Sequence, residues 1–134
     1  MLTAGYSGTP LAKKLSLKPG LAVWWPDMPA SVRNEIGDTG VLELAAPCPG
    51  LDAAHLFVTD RAAMERQLTA LRHTIASAGF VWVSWPKKAA KVPTDITEDT
   101  IREVGLPMGY VDVKVCAVDA VWSGLKLMIR KELR

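Results

Sequence analysis

Phe80-Val81-Trp82-Val83-Ser84-Trp85-Pro86-Lys87-Lys88 is the segment that sets the fold class. Six residues, apolar except for Ser84, run straight into a proline, which cannot donate to a sheet ladder. A run this short and this continuous is a strand buried on both faces, the kind found inside parallel sheets. Upstream, His55-Leu56-Phe57-Val58-Thr59 reads as another strand, and Asp60 is placed to cap a helix over Arg61 to Ser77 that stops at Gly79. Met64, Leu68, Leu71 and Ile75 recur along one side of that helix, with Glu65, Arg66, Arg72 and His73 on the others. Strand, helix and strand from His55 to Trp85 make a right-handed βαβ crossover, hence parallel pairing.

The same grammar extends toward the N-terminus. Leu21-Ala22-Val23-Trp24-Trp25 is an apolar run bounded by Pro19-Gly20 and Pro26-Asp27, again a buried strand. Before it, Thr9-Pro10 is a cap followed by proline at the first helical position, and Leu11, Ala12 and Leu15 give a short apolar stripe ended by Lys18-Pro19-Gly20. Met28 to Ile36 forms a short helix closed by Gly37, and Val41-Leu42-Glu43-Leu44 a brief strand before the turn at Pro47-Cys48-Pro49-Gly50. Toward the C-terminus, either Asp95 with Glu98 or Thr97 caps a helix through Val104 that ends at Gly105-Leu106-Pro107. Val111 to Val118 and Leu125 to Lys131 read as two antiparallel strands joined around Trp122-Ser123-Gly124. The expectation is a single three-layer, Rossmann-like α/β domain over residues 1–134. Its sheet is mainly parallel, with about five or six strands and an antiparallel C-terminal edge hairpin.

Composition narrows the function classes. At 134 residues and 49% hydrophobic, the chain can bury a core without metal or disulfide help. Its net charge of +2 comes from interspersed Lys, Arg, Asp and Glu, which gives no footprint of a nucleic-acid binder. No basic start with an apolar run opens the sequence, and no segment reaches the about 20 apolar residues of a membrane span, so a cytoplasmic protein without nucleic-acid or membrane partners is expected. Cys48 lies between prolines and Cys116 among strand residues, so two free thiols are expected rather than a bridge. Cys48, His55, His73 and Cys116 lack the paired spacing of a zinc site, and the histidines do not cluster for catalysis. Neither a phosphate-loop motif nor Gly-x-Ser-x-Gly occurs.

Several blocks carry a likeness: Tyr6-Ser7-Gly8-Thr9-Pro10-Leu11 with Lys18-Pro19-Gly20, Trp85-Pro86-Lys87-Lys88, Arg102-Glu103-Val104-Gly105-Leu106-Pro107, and Trp122-Ser123-Gly124-Leu125-Lys126. Together they resemble a family of small uncharacterised bacterial proteins known as a domain of unknown function. That resemblance covers nearly the whole chain, implies a stand-alone bacterial domain, and transfers no catalytic residues. The order of elements is also similar to a shortened class I S-adenosylmethionine methyltransferase, whose domain likewise ends with a helix and an antiparallel hairpin strand. In those enzymes the first strand runs into a glycine-rich turn that lets the cofactor approach the backbone. Here the turn reads Trp25-Pro26-Asp27-Met28-Pro29, and no acid follows Leu44 to hold a ribose, so no cofactor is expected.

What remains is position. Ligands of open α/β sheets sit beyond the carboxyl ends of the parallel strands. Those ends deliver Trp24, Trp25 and Asp27 from the first run, Thr59 and Asp60 from the second, and Ser84, Trp85, Lys87 and Lys88 from the third. Exposed tryptophan is costly, so either loops and the N-terminal helix cover these rings or they form a shallow aromatic pocket with lysines at its rim. The candidate ligand residues are therefore Trp24, Trp25, Asp27, Trp85, Lys87 and Lys88, with Lys91 a further anion contact. The expected function is a non-catalytic module for a small anionic ligand or a partner protein, with self-association compatible. The alternative is a small enzyme or degenerate methyltransferase-like protein that places Asp27, Asp60 and Lys87 around a compact anionic substrate.

Overall fold

The computed structural model of the protein describes residues 9–134, so the Tyr6-Ser7-Gly8 start of the first block lies outside the described residues. Ten principal elements follow in chain order: α1 (Leu11–Lys14), β1 (Ala22–Trp24), α2 (Ala30–Ile36), β2 (Leu42–Glu43), β3 (Leu51–Phe57), α3 (Arg61–Arg72), β4 (Ile75–Pro86), α4 (Glu98–Gly105), β5 (Tyr110–Ala117) and β6 (Trp122–Ile129). The strands form one six-stranded sheet in the order β2-β1-β3-β4-β6-β5. β2, β1, β3 and β4 are mutually parallel, and β6 and β5 complete the sheet antiparallel.

The layers follow from strand alternation. On one face Leu56, Val81, Val83, Leu125 and Leu127 pack with Met64, Leu68 and Leu71 of α3 and Ile101 and Val104 of α4. On the other, Phe57, Trp82 and Val118 pack with Leu11 and Leu15 of α1 and Val32 and Ile36 of α2. The three-layer, mainly parallel arrangement with an antiparallel C-terminal edge is therefore present.

Three local readings are corrected, and the choice left open for the α4 cap is resolved. α3 ends at Arg72, not near Ser77, because β-branched Thr74 and Ile75 favour the extended chain and Ile75 pairs with Leu51. The pairing then jumps to Ala53 with Phe80, leaving a bulge in β4 that contains Gly79. A methyl group at Gly79 would sit 2.7 Å from the Asp52 carbonyl, so its role is close approach within the sheet and not a helix stop. α1 starts one residue later than read, with Pro10 in the cap position, and it stops at Leu15, where Ser16 takes a left-handed φ of 62°. Thr97 is the α4 cap, in a box with Thr100, and Asp95 instead accepts from the Arg61 amide at 2.7 Å. The hairpin turn lies before Trp122: Asp119 accepts from the Val121 and Trp122 amides, and Trp122-Ser123-Gly124 already belongs to β6.

Candidate functional site

The site grows from the exit of β4. Val81, Val83 and Trp85 alternate onto the α3/α4 face, leaving Trp85 half-buried at the strand end. Pro86 ends the ladder, and the Lys87 amide donates to the Val121 carbonyl at 2.7 Å, which ties the exit to the β5–β6 turn. Lys88–Ala90 make one 3-10 turn, and Lys91 closes it with a left-handed φ of 55°. The returning chain is fastened to the end of β3, where the Thr59 carbonyl accepts from the Thr94 hydroxyl at 2.7 Å and from the Asp95 amide. Thr97 then opens α4.

Between the outgoing and returning segments lies a groove of about 630 Å³. Trp85 and Ile96 form its apolar part, Lys87, Lys88 and Lys91 stand along it, and Thr97 and Glu98 close the far side. Among the described residues every ion pair uses an arginine, so none of these ammonium groups is neutralised by a carboxylate. The volume falls within the roughly 300–1,000 Å³ of small-molecule sites.

The other candidate residues are not in this groove. Trp24 packs on the same face as Trp85 but from β1, with β3 between them, so two strand spacings of about 4.8 Å separate their backbones. Trp25 lies on the opposite face with Val23 and Ala53, and its indole donates to Glu43 at 2.6 Å. Arg33 pairs with the same carboxylate and lies 5.9 Å from the Trp25 ring. That arginine, helped by the indole, holds Glu43 below the usual carboxylate range. Asp27 lines a smaller cavity of about 300 Å³ beyond β1 and β3, together with Thr59, Asp60, Arg66 and Gln67. Asp60 accepts from the Ala63 amide as the α3 cap. Asp27 and Asp60 thus share one cavity and Lys87 lines another, so the three do not converge on one substrate.

The ring covered by the N-terminal helix is Trp82, whose indole donates to the Leu15 carbonyl at 3.0 Å. Beneath the same face, His55 and Ser84 form a buried pair at 2.7 Å, with His55 stacked on Phe57. Burial pushes the His55 imidazole down to about 3, which makes it a neutral packing group at ordinary pH. Cys48 and Cys116 are free thiols, and among the described residues no group of acids, histidines and cysteines could hold a metal. Nor is any helix among them long and apolar enough to cross a membrane. The groove residues on the returning segment, Val92, Pro93, Thr94, Ile96, Thr97 and Glu98, were not among the site candidates read from sequence. The visible signal was Val92 and Ile96, apolar residues inside an otherwise polar connection.

No protein-family model matches the chain, and no curated protein matches it in sequence. Solved structures do match in shape. A SAM-dependent methyltransferase from Aquifex aeolicus superposes with a TM-score of 0.62 at 15% identity, over 89% of this chain and 87% of that one. A type 11 methyltransferase candidate from Sulfolobus solfataricus gives 0.57 at 14% identity, over 90% of each chain. The fibrillarin pre-rRNA processing protein of Methanococcus jannaschii gives 0.53 at 8% identity, over 90% of this chain and 69% of its own. At such identities the likeness establishes a methyltransferase-like Rossmann fold and nothing about activity.

Proposed function

We propose that the protein is a non-catalytic binding module on a methyltransferase-like scaffold, taking a compact anionic ligand, or the acidic group of a partner protein, in the groove beyond β4. The observation that carries this reading is the placement of Lys87, Lys88 and Lys91 along an apolar wall of Trp85 and Ile96. An aromatic wall supplies area, and ammonium groups that lack a counter-charge gain from an anion. The methyl-donor position argues the other way for catalysis. Pro26 and Pro29 flank Asp27 and Met28, and each proline removes an amide that a cofactor's anionic or polar groups would use.

Anilinonaphthalene sulfonate, an aromatic anion, is a direct probe, read by energy transfer from tryptophan. Lys87→Ser with Lys88→Ser is expected to weaken its binding about tenfold or more, the worth of a lost charge-assisted hydrogen bond. Trp85→Leu should weaken it as well, and Trp24→Leu should not. Unchanged affinity in the double lysine variant would remove the groove reading.

A second reading rests on the cavity shared by Asp27 and Asp60, which suits a small enzyme acting on a compact substrate. The two readings part on one comparison: Asp27→Asn leaves binding in the groove intact under the first, and abolishes turnover with binding kept under the second.

A further inference from the structure

Across the face that carries α1 and α2, three neighbouring strands place Trp82, Lys126 and Lys114 in one row: Trp82 is opposite Lys126, and Lys126 is opposite Lys114. Like charges directly opposite on adjacent strands destabilise a sheet. Lys126 hangs 4.5 Å over the Phe80 ring and donates to the Ser16 hydroxyl at 3.0 Å, and Lys114 lies 5.9 Å from the Trp82 ring. Lys14, at the end of α1, reaches the Ala117 carbonyl at 2.9 Å. Lys18 follows in the same connection, close enough for its charge, with that of Lys114, to weigh on Lys126.

We propose that the end of α1 and the adjoining face of β5 and β6 form a second anion site, independent of the groove beyond β4, which takes a compact phosphate-bearing molecule such as a phosphomonoester or a diphosphate. Contact with an aromatic ring explains one lysine at a time. It does not explain why Lys14, Lys18, Lys114 and Lys126 gather without a carboxylate, since all ion pairs among the described residues use arginine. The undescribed residues 1–8 contain no acid that could compensate them. Burial first, and then the charges of Lys114 and Lys18, depress the Lys126 ammonium. Several ammonium groups meeting at one place call for more than one negative charge, which a phosphate ester supplies and a carboxylate does not. They are few, and the chain's net charge is only +2, so an extended nucleic-acid backbone is the poorer fit.

The test uses pyrophosphate and the melting temperature of the whole protein, with sodium chloride at matched ionic strength as the control. Pyrophosphate at tenfold over its Kd is expected to raise the melting temperature by on the order of 5 °C beyond the salt control. Lys114→Met, a change at an exposed side chain, should melt higher than the parent without ligand, because a repulsion is gone, and should lose the pyrophosphate response. Lys126→Met should lose the response too. Lys87→Ser with Lys88→Ser must keep it, which separates this site from the groove. An equal rise in sodium chloride, or a response lost in the Lys87/Lys88 variant and kept in Lys114→Met, would overturn the proposal.

Discussion

His55 shows how one residue type reads differently once its surroundings are known. It lies inside β3, opposite Trp82 of β4, is only 3% exposed, and hydrogen-bonds Ser84. Its folded pKa of about 3 lies below the roughly 6.5 of an unfolded histidine, so on acidification the unfolded chain takes up the proton first. This contribution to stability is complete above about pH 6.5 and is lost as the pH falls toward 3. Between pH 7 and 5 it amounts to about 2 kcal/mol, before ordinary carboxylates begin to titrate. Denaturant unfolding should therefore show the protein weakening over that interval, and His55→Gln, which keeps a polar partner for Ser84, should flatten the curve. An unchanged slope in that variant would mean that the imidazole is accessible to protons in the native state. Glu43 acts lower on the scale: its carboxylate, held down by Arg33, supports folding above its unfolded value and withdraws support only under more acid conditions.

Among the elements, β6 carries the most consequence for its length. It is the last strand in sequence, yet it lies inside the sheet, between β4 and β5. Leu125, Leu127 and Ile129 alternate onto the α3/α4 face and are nearly inaccessible, whereas Val113 and Val115 of the outer strand β5 are about half exposed. Gly124 permits the close fit on the other face, since a methyl group there would stand 3.1 Å from Val118 and 3.2 Å from Trp82. Leu127→Asp would place an unpaired carboxylate in the packed cluster that includes Ile101, Val104 and Tyr110, at a cost of several kcal/mol, comparable to the whole stability of a domain. The variant should be insoluble or unfolded on expression. A soluble product with the parent's melting temperature would contradict the place of β6 in the sheet. α4 is fastened to the same region by Arg102, which bridges Glu98 on its own helix to Asp112 on β5 at 2.9 Å.

At the scale of the molecule, the scaffold matches methyltransferases in shape, while the turn after its first strand carries two prolines and no glycine. The turn after β1 is stiffened by Pro26 and Pro29, and α2 begins at Ala30 with Pro29 in the cap position and no side-chain cap. Trp25, 6% exposed, is engaged by Glu43 on the side of the sheet where α2 packs. S-adenosylmethionine is therefore expected to show no binding by calorimetry at concentrations up to the millimolar range. Micromolar affinity would restore the methyl-transfer reading and move attention from the lysine groove to the cavity of Asp27 and Asp60.

Residue order alone specified the sheet's parallel half, because apolar runs such as Leu21 to Trp25 and Phe80 to Trp85 have only one use, burial on both faces. It also specified the cap at Asp60, whose carboxylate acts on an amide three residues away. Where the outcome depended on distant partners, the folded sheet was decisive. Ile75 left the helix for Leu51, Asp95 gave up its own helix to bond Arg61, and β6 entered the sheet ahead of β5. The candidate site divided in the same way. The strand ends were legible from residue order, but which tryptophan faces which layer depends on strand alternation and on the strand inserted between β1 and β4. That sent Trp85 to the lysine groove and Trp25 to Glu43. Local signals act through the chain's own neighbouring atoms, whereas a shared cavity depends on residues that only the tertiary fold brings together.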